Sequence, residues 1–312
     1  MSVHLELSKL DANIARYTAR AREAAVALRA HIKGHRVPEI TARQMKAGAV
    51  GVSLQSAAEA RAHARAGARD VVVAWPWRDP WRWSLFAELA RTNEVSVHVD
   101  DPAVVPGLAA AARAARTRLG VRIEVDTGQN RSGVAPQSAV ALARSVHDES
   151  SLRLDGVTGY AAISTADEAK SRFELGRRHA ELLVGVADEL RRAGLPCPVV
   201  SVGGTPTLAG ALSVAGVTEV CCGAYALLDS GLAVLGECEL DDVAVSLGDA
   251  DADLLTGADQ AWQPGVTMNR IGQSTVLPAH ICPLVAKRPL LRVLRDGAQV
   301  AVWRALVDPD RP

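Results

Sequence analysis

Between residues 25 and 222, eight mostly apolar runs alternate with helix-like stretches. This alternation constrains the fold more than any other feature of the chain. Strands separated by helix-length connections pair in parallel, with the helices packed on the sheet. The runs are Ala25–Ile32, Ala49–Leu54, Asp70–Trp75, Val95–Asp100, Val121–Asp126, Leu154–Tyr160, Pro198–Val202 and Thr218–Cys222. The stretches between them predict helices near 38–48, 56–66, 79–93, 101–117, 136–147, 165–193 and 206–214. Eight such units predict an α/β fold with a closed (β/α)8 barrel of the TIM type. An open doubly wound sheet is the alternative, but no G-x-G-x-x-G follows the first strand, which weakens its dinucleotide-binding form. Ahead of the barrel, Leu5–Leu7 reads as a short extra strand, and Ser8 is placed to cap a helix through Leu10, Ile14, Tyr17 and Ala21.

The pattern changes after Asp229. Short strands are expected at 266–268, 274–277, 290–294 and 299–303, with Asp296-Gly297 as a turn between the last two. The acidic stretch 241–259 reads as a loop or linker. The expected division is therefore a barrel over 1–231 and a small β-rich domain over 232–312. Lysine plus arginine and aspartate plus glutamate both number 35, so the formal net charge is zero. With no basic run, nothing points to nucleic acid or an anionic membrane surface. The apolar runs are too short to span a bilayer, and the first residues lack the basic leader and apolar core of a signal peptide. Five irregularly spaced cysteines suit reduced thiols in the cytoplasm rather than a disulfide frame.

In such a barrel the C-terminal strand ends form one face, where reactive groups gather. Lys33 follows the first strand. Only five of the 35 basic residues are lysines, so arginine is the usual cation here. Lys33 is then a candidate for what arginine cannot do, imine formation with a carbonyl, unless it is an ordinary surface lysine. Gly203, Gly204 and Thr205 end the seventh strand, and Gly223, Ala224 and Tyr225 end the eighth. Glycine lets backbone N–H groups approach an anion, so this pair of turns is either a phosphate cradle or simply two tight connections. Arg131, in the loop after the fifth strand, can bind a carboxylate or phenolate, or lie free on the surface. Tyr160 ends the sixth strand. His280 and Cys282 would share one side of an extended segment and are a possible pair of zinc ligands, two protein donors leaving open positions. The tryptophans at 75, 77, 81 and 83 can line an apolar pocket or pack in a core or interface.

The segments 29–40, 125–134, 201–207, 223–225 and 280–283 occur in one order across nearly the whole chain. In this set the chain resembles the pyridoxal-phosphate enzymes of the alanine-racemase-like barrel, fold type III, and within them the D-threonine aldolase and D-serine dehydratase group. The resemblance implies that Lys33 carries pyridoxal 5'-phosphate as an imine. It implies that Gly203, Gly204, Thr205, Gly223 and Tyr225 hold the phosphate, and that Arg131 and Tyr160 lie beside the cofactor and substrate. His280 and Cys282 match a pair that binds a divalent metal, for which zinc suits the thiolate. The implied protein is a homodimeric lyase acting on a D-β-hydroxy amino acid, by dehydration or by retro-aldol cleavage. Two alternatives are an amino-acid racemase and a non-catalytic pyridoxal-phosphate-binding protein. The first needs an opposing tyrosine from the small domain, yet no tyrosine follows Tyr225. The second resembles a barrel alone, without a tail carrying His280 and Cys282. Gly34 stands where many members have a hydroxyl residue, and Ala162-Ile163 where Gly-His is common. The part after the barrel is also shorter than in those members. The identity of the substrate is therefore not carried over.

Overall fold

A computed structural model describes residues 3–163, 165–248, 269–271 and 275–306. Strand β1 (Val3–Glu6) is followed by the helix Leu7–Glu23. The barrel then comprises β2 (Ala27–His31), β3 (Val52–Leu54), β4 (Asp70–Val73), β5 (Glu94–Val99), β6 (Leu119–Glu124), β7 (Leu152–Tyr160), β8 (Val199–Gly203) and β9 (Glu219–Cys222). Each strand pairs in parallel with the next, and β2 closes the barrel on β9 with Ala27 opposite Glu219. The expected eight-stranded barrel is the one found. Parallel strands buried on both faces read as near-continuous apolar runs, which is why they were visible in the sequence.

The tail supplies β10 (Val245–Gly248), β11 (Asn269–Ile271), β12 (Thr275–Leu277), β13 (Leu290–Arg295) and β14 (Ala298–Arg304). These form a six-stranded sheet in the order β11-β12-β10-β1-β13-β14. Strand β1 thus belongs to the second sheet, antiparallel to β10 and parallel to β13. A division at 231/232 leaves β1 with the wrong body. Its alternation, with Val3 and Leu5 buried, fits any half-buried sheet and does not say which one. Strand β10 lies inside the stretch expected to be a loop. The long helix expected over 165–193 breaks at Ser171 into Ala166–Lys170 and Arg172–Arg192. The strand expected at 266–268 lies outside the described residues. No helix among the described residues is long and apolar enough to cross a membrane.

Beneath the Lys33 turn, the helices Pro38–Ala47 and Ala57–Arg65 enclose two histidines with ring centroids 6.3 Å apart. His35 accepts from the Val37 N–H at 3.0 Å and contacts Gln44 Oε1 at 3.2 Å, while His63 meets Thr41 Oγ1 at 2.8 Å. Burial disfavours the charged ring and lowers the pKa of His35 to about 3 and that of His63 to about 4. Below the ordinary histidine pKa of about 6.5, the unfolded chain therefore takes up protons that the folded chain refuses. Stability should fall as pH drops from about 6.5 towards 4, by a few kcal/mol for the pair. Thermal unfolding across this range should show that loss, and His63→Gln should flatten it. An unchanged slope in the variant would remove His63 from the account.

Candidate active site

One cavity opens at the C-terminal ends of the barrel strands, and Lys33, Arg131, Tyr160, Gly203, Gly204, Thr205, Gly223, His280 and Cys282 all border it. Residues far apart in the chain, from the first strand end to the tail, thus border one cavity. Lys33 sits in a 3-10 turn, Ile32–Gly34, directly after β2. The turn packs closely on the end of β9. A Cβ at Gly34 would lie 3.0 Å from the Gly223 carbonyl oxygen, so this position favours glycine on steric grounds.

The cradle between β8 and β9 is mostly backbone. Gly204 adopts φ +127°, and a Cβ there would lie 2.5 Å from Thr207 Oγ1. Thr205 Oγ1 accepts from the Ala224 N–H at 3.2 Å and ties the two turns together. The N–H groups of Thr205 and Gly223 donate to no backbone carbonyl among the described residues. Two free N–H groups beside glycines make a concave site suited to an anion. Tyr225 is the exception to the expected set. It is fully buried, with its ring centroid 5.6 Å from that of Tyr17, and is not among the residues that border the cavity. Backbone groups and Thr205 are the parts of the expected cradle that do border it.

Arg131 is presented by a tightly tied loop. Asp126 Oδ1 accepts from the N–H groups of Gly128, Gln129 and Asn130 at 2.9, 2.9 and 3.1 Å. Ser132 Oγ donates to Glu124 Oε1 at 2.6 Å, and Thr127 Oγ1 donates to the Tyr160 carbonyl at 2.8 Å. Gly133, at φ +102°, leaves no room for a Cβ against Asp126. These ties bring the Arg131 guanidinium over the rings of Trp75 and Tyr160.

The tail does not run extended through the metal-ligand candidates. His280 is extended but caps the helix Ile281–Lys287, and Cys282 lies in that helix's first turn. Both still face the cavity, because Asp229 anchors this corner. Its Oδ2 contacts His280 Nδ1 at 3.1 Å and accepts from the Ile281 N–H at 3.2 Å, while Oδ1 accepts from the Leu232 N–H at 2.9 Å. Burial works against a charged ring, but the Cys282 thiol and the Asp229 carboxylate outweigh it and hold the His280 pKa at about 10. Burial likewise raises the Cys282 thiol, but His280 and Lys33 more than offset it and lower its pKa. The Nδ1 contact with Asp229 fixes the orientation of the ring, which borders the cavity together with Cys282. Among the described residues no third His, Cys, Asp or Glu completes a metal cluster. Two soft or borderline donors with an orienting carboxylate still fit a divalent ion that keeps open positions.

Several further residues line this cavity; His31 could be expected at its border because it alternates with Lys33, and the others carried no sequence signal of their own. His31 contacts Ser53 Oγ at 2.9 Å, and enclosure together with nearby Lys33 keeps its ring neutral. His98 contacts Glu124 Oε2 at 3.3 Å. Deeper in the barrel, Glu219 bonds Arg29 Nε at 2.8 Å, both terminal nitrogens of Arg122, and Ser201 Oγ at 2.7 Å. Arg29 also makes a two-pronged contact with Asp70 at 2.9 and 3.0 Å. Burial raises the Glu219 carboxyl, but Arg29 and Arg122 win and lower its pKa to about 2. Alternation along β2, β5, β6 and β9 could have marked these positions as inward, but not their pairing across the barrel.

The family model for the alanine racemase N-terminal domain matches residues 5–230. A D-threo-3-hydroxyaspartate dehydratase from Delftia sp. (strain HT23) is 36% identical over 248 residues, covering 78% of this chain and 65% of that protein. A D-threonine aldolase from Arthrobacter sp. is 32% identical over 230 residues, covering 73% of this chain and 61% of that protein. These matches thus span less than two thirds of the length of either relative. Among solved structures, a cysteine-to-alanine variant of D-threo-3-hydroxyaspartate dehydratase in its metal-free form superposes with a TM-score of 0.85 at 28% identity, covering 98% of this chain and 97% of that one.

Proposed function

The chain belongs to the alanine racemase N-terminal domain family, and from that premise we propose that it is a pyridoxal-phosphate-dependent lyase acting on a D-β-hydroxy amino acid with the help of a divalent metal. The observation that carries this reading is the sharing of one cavity by Lys33, the backbone cradle at Gly204, Thr205 and Gly223, and the His280–Cys282 pair. The names of the relatives, a dehydratase and an aldolase, support the same class of substrate.

Pyridoxal phosphate supplies an electron sink for charge left on the substrate's α-carbon. Lys33 is the amine that would hold its aldehyde, and the same amine is placed to take or return the proton at that carbon. The free N–H groups of Thr205 and Gly223 would bind the phosphate, with Gly203 and Gly204 giving it room. Arg131 offers a guanidinium to the substrate carboxylate, and Tyr160 forms the wall beside it. His280 Nε2 and Cys282 Sγ would hold the metal, which supplies Lewis acidity towards the β-oxygen. Zinc is the ion proposed, because a thiolate is one of the donors. Asp229, in contact with His280 Nδ1, would orient the ring for a metal, whose binding would displace the other ring proton. The five free cysteines suit a reducing cytoplasm, and a homodimer is part of the same proposal.

The test is incubation of the cofactor- and metal-loaded protein with D-serine, D-threonine and D-threo-3-hydroxyaspartate. Oxo acid with ammonia signals dehydration, and glycine with an aldehyde signals retro-aldol cleavage. Inversion at the α-carbon without either product set would make the protein a racemase and overturn the lyase assignment.

A further inference from the structure

Among the described residues three carboxylates border the cavity, those of Glu124, Glu219 and Asp229. Glu219 is engaged by Arg29 and Arg122, and Asp229 anchors the His280 corner. Glu124 has no part in the chemistry assigned so far. It is buried at the end of β6, and both of its oxygens are held. Ser132 Oγ donates to Oε1 at 2.6 Å, and His98 Nδ1 contacts Oε2 at 3.3 Å. A carboxylate gripped at both oxygens is fixed in direction. Burial works against its charge, but His98, Ser132 and Arg131 outweigh it and keep the carboxyl below its usual range. Charge on the acceptor strengthens the bond from Ser132.

What Glu124 fixes is the loop that carries Arg131. Before Arg131 in the chain, Asp126 Oδ1 gathers the N–H groups of residues 128–130. After it, the hold comes largely from Glu124. Its side chain takes the Ser132 hydroxyl, and its backbone carbonyl accepts from the Val134 N–H at 2.9 Å. Between these two, Asp100 Oδ2 accepts from the Gly133 N–H at 3.1 Å. Ser132 is the neighbour of Arg131, so its bond to Glu124 restrains the backbone from which the guanidinium reaches the cavity. Arg131 Cζ lies 5.5 Å from the Tyr160 ring centroid and 5.7 Å from that of Trp75. Such ring contacts set direction less sharply than a hydrogen bond does. A guanidinium holds a carboxylate best through two parallel N–H bonds, a geometry that a small shift of its base spoils.

We propose that Glu124, acting through Ser132 and steadied by His98, is a positioning residue for Arg131 and so sets how tightly the site holds the α-carboxylate of its amino acid. This rests on the reading above, in which Arg131 takes that carboxylate. The test compares D-alanine with ethylamine, which lacks only the carboxylate. D-alanine has no β-oxygen to lose, so its binding is read without lyase turnover. The cofactor- and metal-loaded protein is titrated with each amine, following the absorbance of the bound cofactor. Wild type should bind D-alanine about tenfold or more tightly than ethylamine. Ser132→Ala and Glu124→Ala should each weaken D-alanine by about tenfold and leave ethylamine nearly unchanged. Glu124→Gln keeps an oxygen for Ser132 and should recover most of that loss. In an Arg131→Ala background, Ser132→Ala should add nothing, as for two residues acting as one unit. Ser132 is a half-buried loop residue, so its variant should fold even where Glu124→Ala does not. Wild type binding both amines alike, equal losses on both in Ser132→Ala, no loss on D-alanine in that variant, or a full Ser132 effect without Arg131 overturns the proposal. A cofactor band without turnover of any β-hydroxy substrate removes the lyase assignment alone. If wild type shows no cofactor band, the reading itself falls and takes this inference with it.

Discussion

Lys33→Ala should lose the absorbance band of lysine-bound cofactor and at least about a thousandfold of turnover, as expected when a covalent catalytic group is removed. The size of the effect follows from the lack of a substitute. The chain has five lysines, and Lys33 is the one that borders the cavity. Lys9 is engaged with Asp241 at 2.8 Å, and Lys170 lies 3.5 Å from Asp167 on the surface. The arginines around the cavity stay protonated and cannot form an imine. The imidazole of His31, two residues away, is a base but carries no amine. Truncation at Lys33 leaves the barrel strands untouched, so the thermal midpoint should change by only a few degrees. Cofactor should still bind through the backbone cradle, more weakly and with the spectrum of a free aldehyde. A retained lysine-type band in the variant would move the covalent anchor elsewhere.

How much of this was visible in the sequence depends on how local each feature is. The barrel was legible because every strand carries its own apolar run and every connection its own helical pattern. Lys33 and the glycine turns were legible because each closely follows a strand, and Arg131 because it lies in the loop after one; the strand ends of a barrel share one face. Tyr225 marks the limit of the same argument. Its position after β9 says that it is near the face, but not that its ring is buried beside Tyr17 and absent from the cavity border. Strand β1 was recognised as a strand but not as a partner of β10 and β13, because pairing between chain ends leaves no local trace. The same holds for the Arg29–Glu219–Arg122 network and for His98 with Glu124, whose partners lie on different strands. Asp229 was invisible as a support for His280 because 51 residues separate them.

That support makes the metal pair the second place where a large loss is expected. His280→Ala and Cys282→Ala each remove one of the two donors proposed among the described residues, so the variants should bind metal poorly and lose about a hundredfold or more of activity. Asp229→Asn should act more mildly. It leaves both donors but weakens the hold on His280 Nδ1, for an expected loss of about tenfold in metal affinity. Because Asp229 also caps the helix that starts at Ser230 through the Leu232 N–H, this variant should be checked for a lowered thermal midpoint before its affinity is interpreted. Metal content by elemental analysis and turnover before and after chelation separate the possible causes. Chelated wild type should fall towards the activity of the two alanine variants and recover when zinc is returned, whereas neither variant should respond to added zinc. Cofactor absorbance should persist throughout, since Lys33 and the backbone cradle are untouched. Unchanged turnover in wild type after verified metal removal would end the role assigned to His280 and Cys282, while leaving that of Lys33 standing.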